Sequence, residues 1–154
     1  MVYLTVHAPQ EKIKAHLGHG TDGAVWATTR NAALKVFERE HGYRNERDCY
    51  LRLAEFGVTE MLEGFFIPEM RGCDDELMVV EMDLMQRTPY IIDFAKSRLD
   101  RPPDFPLETL RDFEASGKDL FGNNWPAVKS LLAALESFQI YYLDPKPHNI
   151  VFPP

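Results

Sequence analysis

The stretch Leu-Gly-His-Gly-Thr-Asp-Gly-Ala-Val-Trp, with glycines at 18, 20 and 23, constrains the fold of this chain more than any other. Glycines in a G-x-G-x-x-G arrangement let the backbone turn tightly and aim N–H groups at phosphate oxygens. The same spacing also serves a tight turn that binds nothing, so the residues that follow decide its use. A dinucleotide fold needs a helix directly after the third glycine. Here Ala24-Val25-Trp26-Ala27-Thr28-Thr29 follows, a β-branched and aromatic run suited to a strand. Gly18, Gly20 and Gly23 therefore join two strands, and a nucleotide beneath them would lie under a flap.

The first half continues in the same style. Residues 12–18, 23–29 and 32–37 read as three extended segments, with Arg30-Asn31 as the polar turn between the last two. Residues 43–56 have helical periodicity and stop at Gly57, a favoured residue after a helix end. Residues 65–71 and 76–84 read as two further strands, split by Cys73-Asp74-Asp75. Five strands with a helix after the third are expected. Beyond them, 89–99 reads as a short helix broken off by Pro102, Pro103 and Pro106, and 107–124 stays open between helix and loop. From Pro126 an amphipathic helix places Val128, Leu131, Leu132, Leu135 and Phe138 on one face.

A chain of 154 residues is one domain or two small lobes around a hinge, and it can bury a core without disulfide or metal. Cys49 and Cys73 belong to no Cys-x-x-Cys pair and read as free thiols of a reducing cytoplasm. A net charge of −7 without a basic stripe argues against nucleic acid as a partner. No apolar run approaches the ~20 residues of a membrane span, and residues 1–9 lack the pattern of a signal peptide. The five histidines have no metal-ligand spacing. A cytoplasmic protein without membrane contact is expected.

Three further stretches bear on chemistry. In Ala-Ala-Leu-Lys-Val-Phe, the period of a strand puts Ala33 and Lys35 on one face. A small residue beside a lysine suits an adenine ring packed flat, with its phosphates running toward the ammonium; an edge-strand surface lysine has the same pattern. Glu46, Tyr50 and Leu53 stand at i, i+4 and i+7, so Glu46 shares an apolar helix face and needs a cation there. Lys35 would be that cation, although Arg47 and Arg52 are close in sequence. Finally, Asp144-Pro145-Lys146-Pro147-His148-Asn149 sets a carboxylate, an ammonium and a carboxamide in a short loop between a helix and a strand. An Asp can take the proton of an attacking hydroxyl, a Lys can neutralise a migrating phosphoryl group, and an Asn oxygen can bind Mg²⁺.

In these features the chain resembles the protein-kinase-like superfamily over nearly its whole length. Gly18, Gly20, Gly23 and Val25 match the glycine loop, Lys35 the third-strand lysine, and Glu46 its paired glutamate. Val80-Glu81-Met82-Asp83 looks like the gatekeeper and hinge, so the resemblance has backbone groups of Glu81 and Asp83 meeting an adenine edge. Asp144, Lys146 and Asn149 match the catalytic loop, with Asn149 as a metal ligand. The resemblance implies an α+β protein-kinase-like fold, in which residues 1–84 form a five-stranded antiparallel sheet with one helix and residues 85–154 a reduced helical lobe. ATP, Mg²⁺ and a hydroxyl-bearing phospho-acceptor of unspecified class are the implied ligands.

The chain departs from the family in three ways. Leu143 stands where an Arg usually precedes the catalytic Asp, the intervals around Lys35 are short, and no Asp-Phe-Gly segment follows Asn149. The metal-binding carboxylate of that segment would then come from Asp83, an acid within 100–119, or a partner chain. Self-association through the reduced lobe is one way to cover the helix that starts at Pro126. Two readings follow. One is a minimal phosphotransferase, and the other a nucleotide-binding pseudokinase or interaction module without turnover. The ending, taken alone, favours binding over turnover.

Overall fold

The glycine turn is flanked as its neighbours require. In the computed structural model, which describes residues 1–154, a short helix Val2–His7 (α1) precedes two antiparallel strands, Ile13–His19 (β1) and Gly23–Thr28 (β2). Ala32–Phe37 (β3) pairs with β2 across Arg30-Asn31. Asn31 sits at φ 56, a left-handed conformation that asparagine tolerates, and the Thr28 hydroxyl accepts the Arg30 and Ala32 N–H groups. Helix Glu40–Glu55 (α2) follows directly.

Two two-residue strands come next, Met61–Leu62 (β4) and Phe65–Phe66 (β5), and then Met70–Asp74 (β6) and Val79–Asp83 (β7). The principal sheet has five strands in the order β1-β2-β3-β7-β6, all pairs antiparallel. Five strands with a helix after the third is the arrangement expected, but the boundaries moved. The strand expected over 65–71 is interrupted around Pro68, which has no N–H for a ladder. The one expected over 76–84 starts only at Val79. The Asp74 carboxylate accepts the Leu77 N–H, and Met78 lies at φ 52, so residues before Val79 form the turn.

The second half differs more. No helix spans 89–99; instead Tyr90–Ile91 (β8) and Arg98–Leu99 (β9) bracket a loop in which Asp93 has φ 66. The β-branched pair Ile91-Ile92 and that left-handed residue suit extended chain and a sharp turn, not a helix. The ambiguous stretch is helical as Leu107–Phe121 (α3), and the amphipathic helix runs Trp125–Ser137 (α4) with Pro126 in its first turn. Ile140–Tyr141 (β10) pairs with β9, and Ile150–Val151 (β11) pairs antiparallel with β8. A second sheet has the order β11-β8-β5-β4, so the first half of the chain contributes strands to it as well.

One cluster of 22 buried residues runs through both halves, from Phe37, Tyr43 and Leu53 through Ile91 and Phe94 to Trp125, Leu131 and Leu135. Val128, Leu131 and Leu135 of α4 have no exposed surface, each contributing about 1.5–3 kcal/mol by burial. The opposite face of the principal sheet is covered by α1, whose Tyr3 and Leu4 pack on Leu34 and Val79. Val-Tyr-Leu-Thr-Val-His has the composition of a strand, and burial of those two side chains outweighs that preference. No helix is long and apolar enough to cross a membrane.

Candidate functional site

Strand period and register decide which side chains meet. Pairing sets Val25 beside Lys35, Lys35 beside Val80 and Ala33 beside Met82, so all five occupy one face of the principal sheet. That face looks onto α2 and onto a cavity of about 430 Å³ roofed by the glycine turn. Gly18, Gly20, Gly23, Val25, Ala33, Lys35, Glu46, Asp83 and Asn149 all line it. The three glycines differ in what requires them. At Gly23, φ is 147 and a Cβ would lie 1.9 Å from the Val36 carbonyl oxygen, so only glycine fits. At Gly18 and Gly20 a Cβ would meet nothing within 4 Å. Protein packing therefore does not demand glycine at those two positions, and the space above the cavity is open to a ligand.

Lys35 and Glu46 lie at the back, both almost wholly buried, with Nζ 3.0 Å from Glu46 Oε2. Burial alone would depress the Lys35 ammonium, but Glu46 and then Asp93 hold it above its ordinary value. Burial pushes the Glu46 carboxyl above the usual range, opposed chiefly by Lys35. The second carboxylate on Lys35 is the one sequence reasoning missed. Asp93 Oδ1 is 3.0 Å from Nζ, and Asp93 lines the cavity with Asn149.

The loop holds Asp93 from both sides. The Phe94 N–H donates to Glu46 Oε1 at 2.9 Å, and the Tyr142 hydroxyl donates to the Ile92 carbonyl at 2.7 Å. The Phe94 ring stands edge-on to Tyr50 and Tyr142, with centroids 5.3 and 5.5 Å away. The Ile92 N–H donates to the Asn149 carbonyl at 2.8 Å, which continues the β8–β11 pairing to the loop. The signal in the chain was Ile91-Ile92-Asp93-Phe94, an apolar β-branched pair leading into Asp-Phe. It was hidden by the helical reading of 89–99.

The remaining expected residues divide. Asp144 does not line the main cavity. It borders a small adjoining recess together with Asp93 and Asn149, and its carboxylate is 3.6 Å from Lys146 Nζ and 3.9 Å from Lys96 Nζ. Lys146 lines neither space and is partly exposed. Glu81 is expected to serve through its backbone groups. Its side chain lies on the opposite face of the sheet, buried near Glu11, and the residue does not line the cavity. The cavity edge is formed by Met82, Asp83, Leu84 and Met85, which overlaps the expected hinge at Met82 and Asp83 and extends two residues beyond it. The Asp83 carboxylate is turned to Arg71, 2.9 Å from its Nε.

Asp93 and Asn149 are also the residues that could hold a hard divalent cation. A carboxylate and a carboxamide oxygen are suitable donors, and Mg²⁺ usually takes one or two protein oxygens with the rest from phosphates and water. No family model matches this chain, and no curated protein matches it either.

Proposed function

We propose that this chain is a kinase-like phosphotransferase that binds MgATP in the glycine-roofed cavity and passes the γ-phosphoryl group to a hydroxyl. The observation that supports this most is the convergence of Lys35, Glu46, Asp93 and Asn149 behind Gly18, Gly20 and Gly23 in one cavity. In this reading Ala33 and Val25 pack on the adenine ring, the Met82–Met85 edge offers backbone groups to it, and Lys35 meets the phosphates. Asp93 and Asn149 hold Mg²⁺, which would neutralise charge on the phosphates. Asp144 takes the acceptor proton, and Lys146 stands beside it.

Asp93-Phe94-Ala95 takes the part of the family's Asp-Phe-Gly segment, reached ahead of the helices instead of after the catalytic loop. The β8–β11 pair supports this, since it joins the Asp93 segment to the Asn149 segment side by side. Asp93 would supply the metal carboxylate whose lack favours binding without turnover. Neither Asp83 nor an acid within 100–119 is needed.

Thermal shift with ATP, with and without Mg²⁺, tests the binding step on the wild type, Lys35→Met and Asp93→Asn, each against its own unliganded baseline. The wild type should be stabilised, Lys35→Met much less, and Asp93→Asn should lose the Mg²⁺-dependent part. Transfer of labelled phosphate should vanish in Asp144→Asn. No shift with ATP in any form would refute the reading, and transfer that survives in Asp144→Asn would refute the assignment of the base.

A further inference from the structure

A second cavity, of about 570 Å³, lies between the start of α2 and the chain that follows Phe94. Its walls bear Arg39, His41, Lys96, Arg98 and Arg101 against one carboxylate, Asp22. In a protein of net charge −7 this is a concentration of positive charge. Arg39, Arg98 and Arg101 enter none of the ion pairs in the molecule, and Lys96 has only its 3.9 Å approach to Asp144. Three guanidinium groups without carboxylate partners around one concavity leave an uncompensated field that favours an anion.

Its position gives the cavity a use. The small recess of Asp93, Asp144 and Asn149 shares Lys96, Ser97 and Leu143 with the basic cavity, and shares Asp93 and Asn149 with the glycine-roofed one. The three spaces are thus consecutive, with the proposed base at the junction. A molecule whose hydroxyl reaches Asp144 from the side away from the nucleotide has its body among the arginines. The volume falls in the range of small-molecule sites, and only Ala95, Leu99 and Leu143 give it apolar wall. Arg98 is held by the pairing of β9 with β10, so its backbone is fixed.

We infer that the acceptor is a small hydroxylated molecule bearing a phosphate or carboxylate group, seated by Arg39, Arg98 and Arg101. This rests on the phosphotransfer reading above. In the transfer the acceptor oxygen forms a bond to the γ-phosphorus, and the bond from that phosphorus to the β–γ bridging oxygen breaks. ADP leaves with the electron pair, and the hydroxyl proton passes to Asp144 and on to solvent.

The test is calorimetric titration of the ADP-loaded protein with inorganic phosphate, glycerol 3-phosphate, glycerate and glycerol, repeated on Arg98→Gln and Arg101→Gln. An anionic probe should bind at millimolar concentration or below while glycerol does not, and each substitution should weaken it roughly tenfold or more. Binding of the phosphates alone, or of glycerate alone, supports the inference and names the group. Absence of binding by every anion, or binding indifferent to both substitutions, overturns it. ADP binding is measured first and by itself. Its failure overturns the phosphotransfer reading and the acceptor role together, whereas ADP binding without an arginine-dependent anion overturns only the acceptor assignment.

Discussion

Removing the Lys35 charge should destabilise the protein by an amount that depends on pH and on what faces the lysine. Lys35 and Glu46 are 8% and 1% exposed at their side chains and 3.0 Å apart, so solvent screens them little. Lys35→Met leaves Glu46 buried with Asp93 as its charged neighbour, and breaking such a pair costs about 3–5 kcal/mol. For a chain of this length that corresponds to roughly 10 °C in Tm. Glu46→Leu should cost less, about 1–3 kcal/mol for the Phe94 N–H it leaves unpaired, because Lys35 keeps Asp93 at 3.0 Å. The double variant removes both charges, leaves the Phe94 N–H unpaired at about 1–3 kcal/mol, and leaves Asp93, 28% exposed at its side chain, to solvent. It should therefore be more stable than Lys35→Met. Urea unfolding of the four proteins gives the coupling energy, expected at about 3 kcal/mol, because the Phe94 N–H cost is common to Glu46→Leu and the double variant.

The pH dependence checks the cause. Glu46 already has its folded value pushed up by burial, and loss of Lys35 removes the main influence holding it down. A carboxyl raised in the folded state is most favourable below its unfolded value and loses that contribution as pH rises through the folded one. Lys35→Met should thus lose more stability relative to wild type at pH 8 than at pH 5. Additive costs in the double variant, or a penalty independent of pH, would show that the two groups do not share a buried pair.

The remaining expectations are narrower. Gly23→Ala should destabilise the protein by about 1–3 kcal/mol or more, because its Cβ meets the Val36 carbonyl; Gly20→Ala should unfold within ~0.5 kcal/mol of wild type yet weaken ATP binding, read by thermal shift. Glu81, whose carboxyl is raised first by burial and then by Glu11, loses its contribution as pH rises above the ordinary carboxylate range. Glu81→Gln should therefore flatten that decline in a urea-unfolding series across pH.

What was legible in the chain was what local pattern determines. The strand after Gly23 followed from β-branched composition, and the Lys35–Glu46 contact followed from a carboxylate on an apolar helix face that required a cation. Alternation along β7 reveals two faces without saying which one the cavity uses; the register with β3 decides that, and it puts the Glu81 side chain on the other face. Helix α1 was invisible for a different reason. Its residues prefer a strand, and only the sheet face offered by Leu34 and Val79 makes the helix worthwhile. Asp93 was lost because its conformation is imposed from afar, by Glu46 on the following amide and Tyr142 on the preceding carbonyl.

The same remote contacts fix how the two loops of the site sit against each other. The loop bearing Asp144 and Asn149 is anchored at one end by β10 on β9 and at the other by β11 on β8. Both partners belong to the same short stretch, Tyr90–Ile91 and Arg98–Leu99, and Asp93 lies between them. Two small antiparallel pairs therefore clamp the Asp93 loop against the Asp144 loop at both ends, while α3 and α4 fill the chain between them. The distance between the carboxylate and the carboxamide depends on these pairings and on the aromatic contacts of Phe94, not on which segment is made first. Which segment comes first in the chain changes the connections around the site but not the contacts that hold it, so the order of residues alone does not reveal that Asp93 and Asn149 line one cavity.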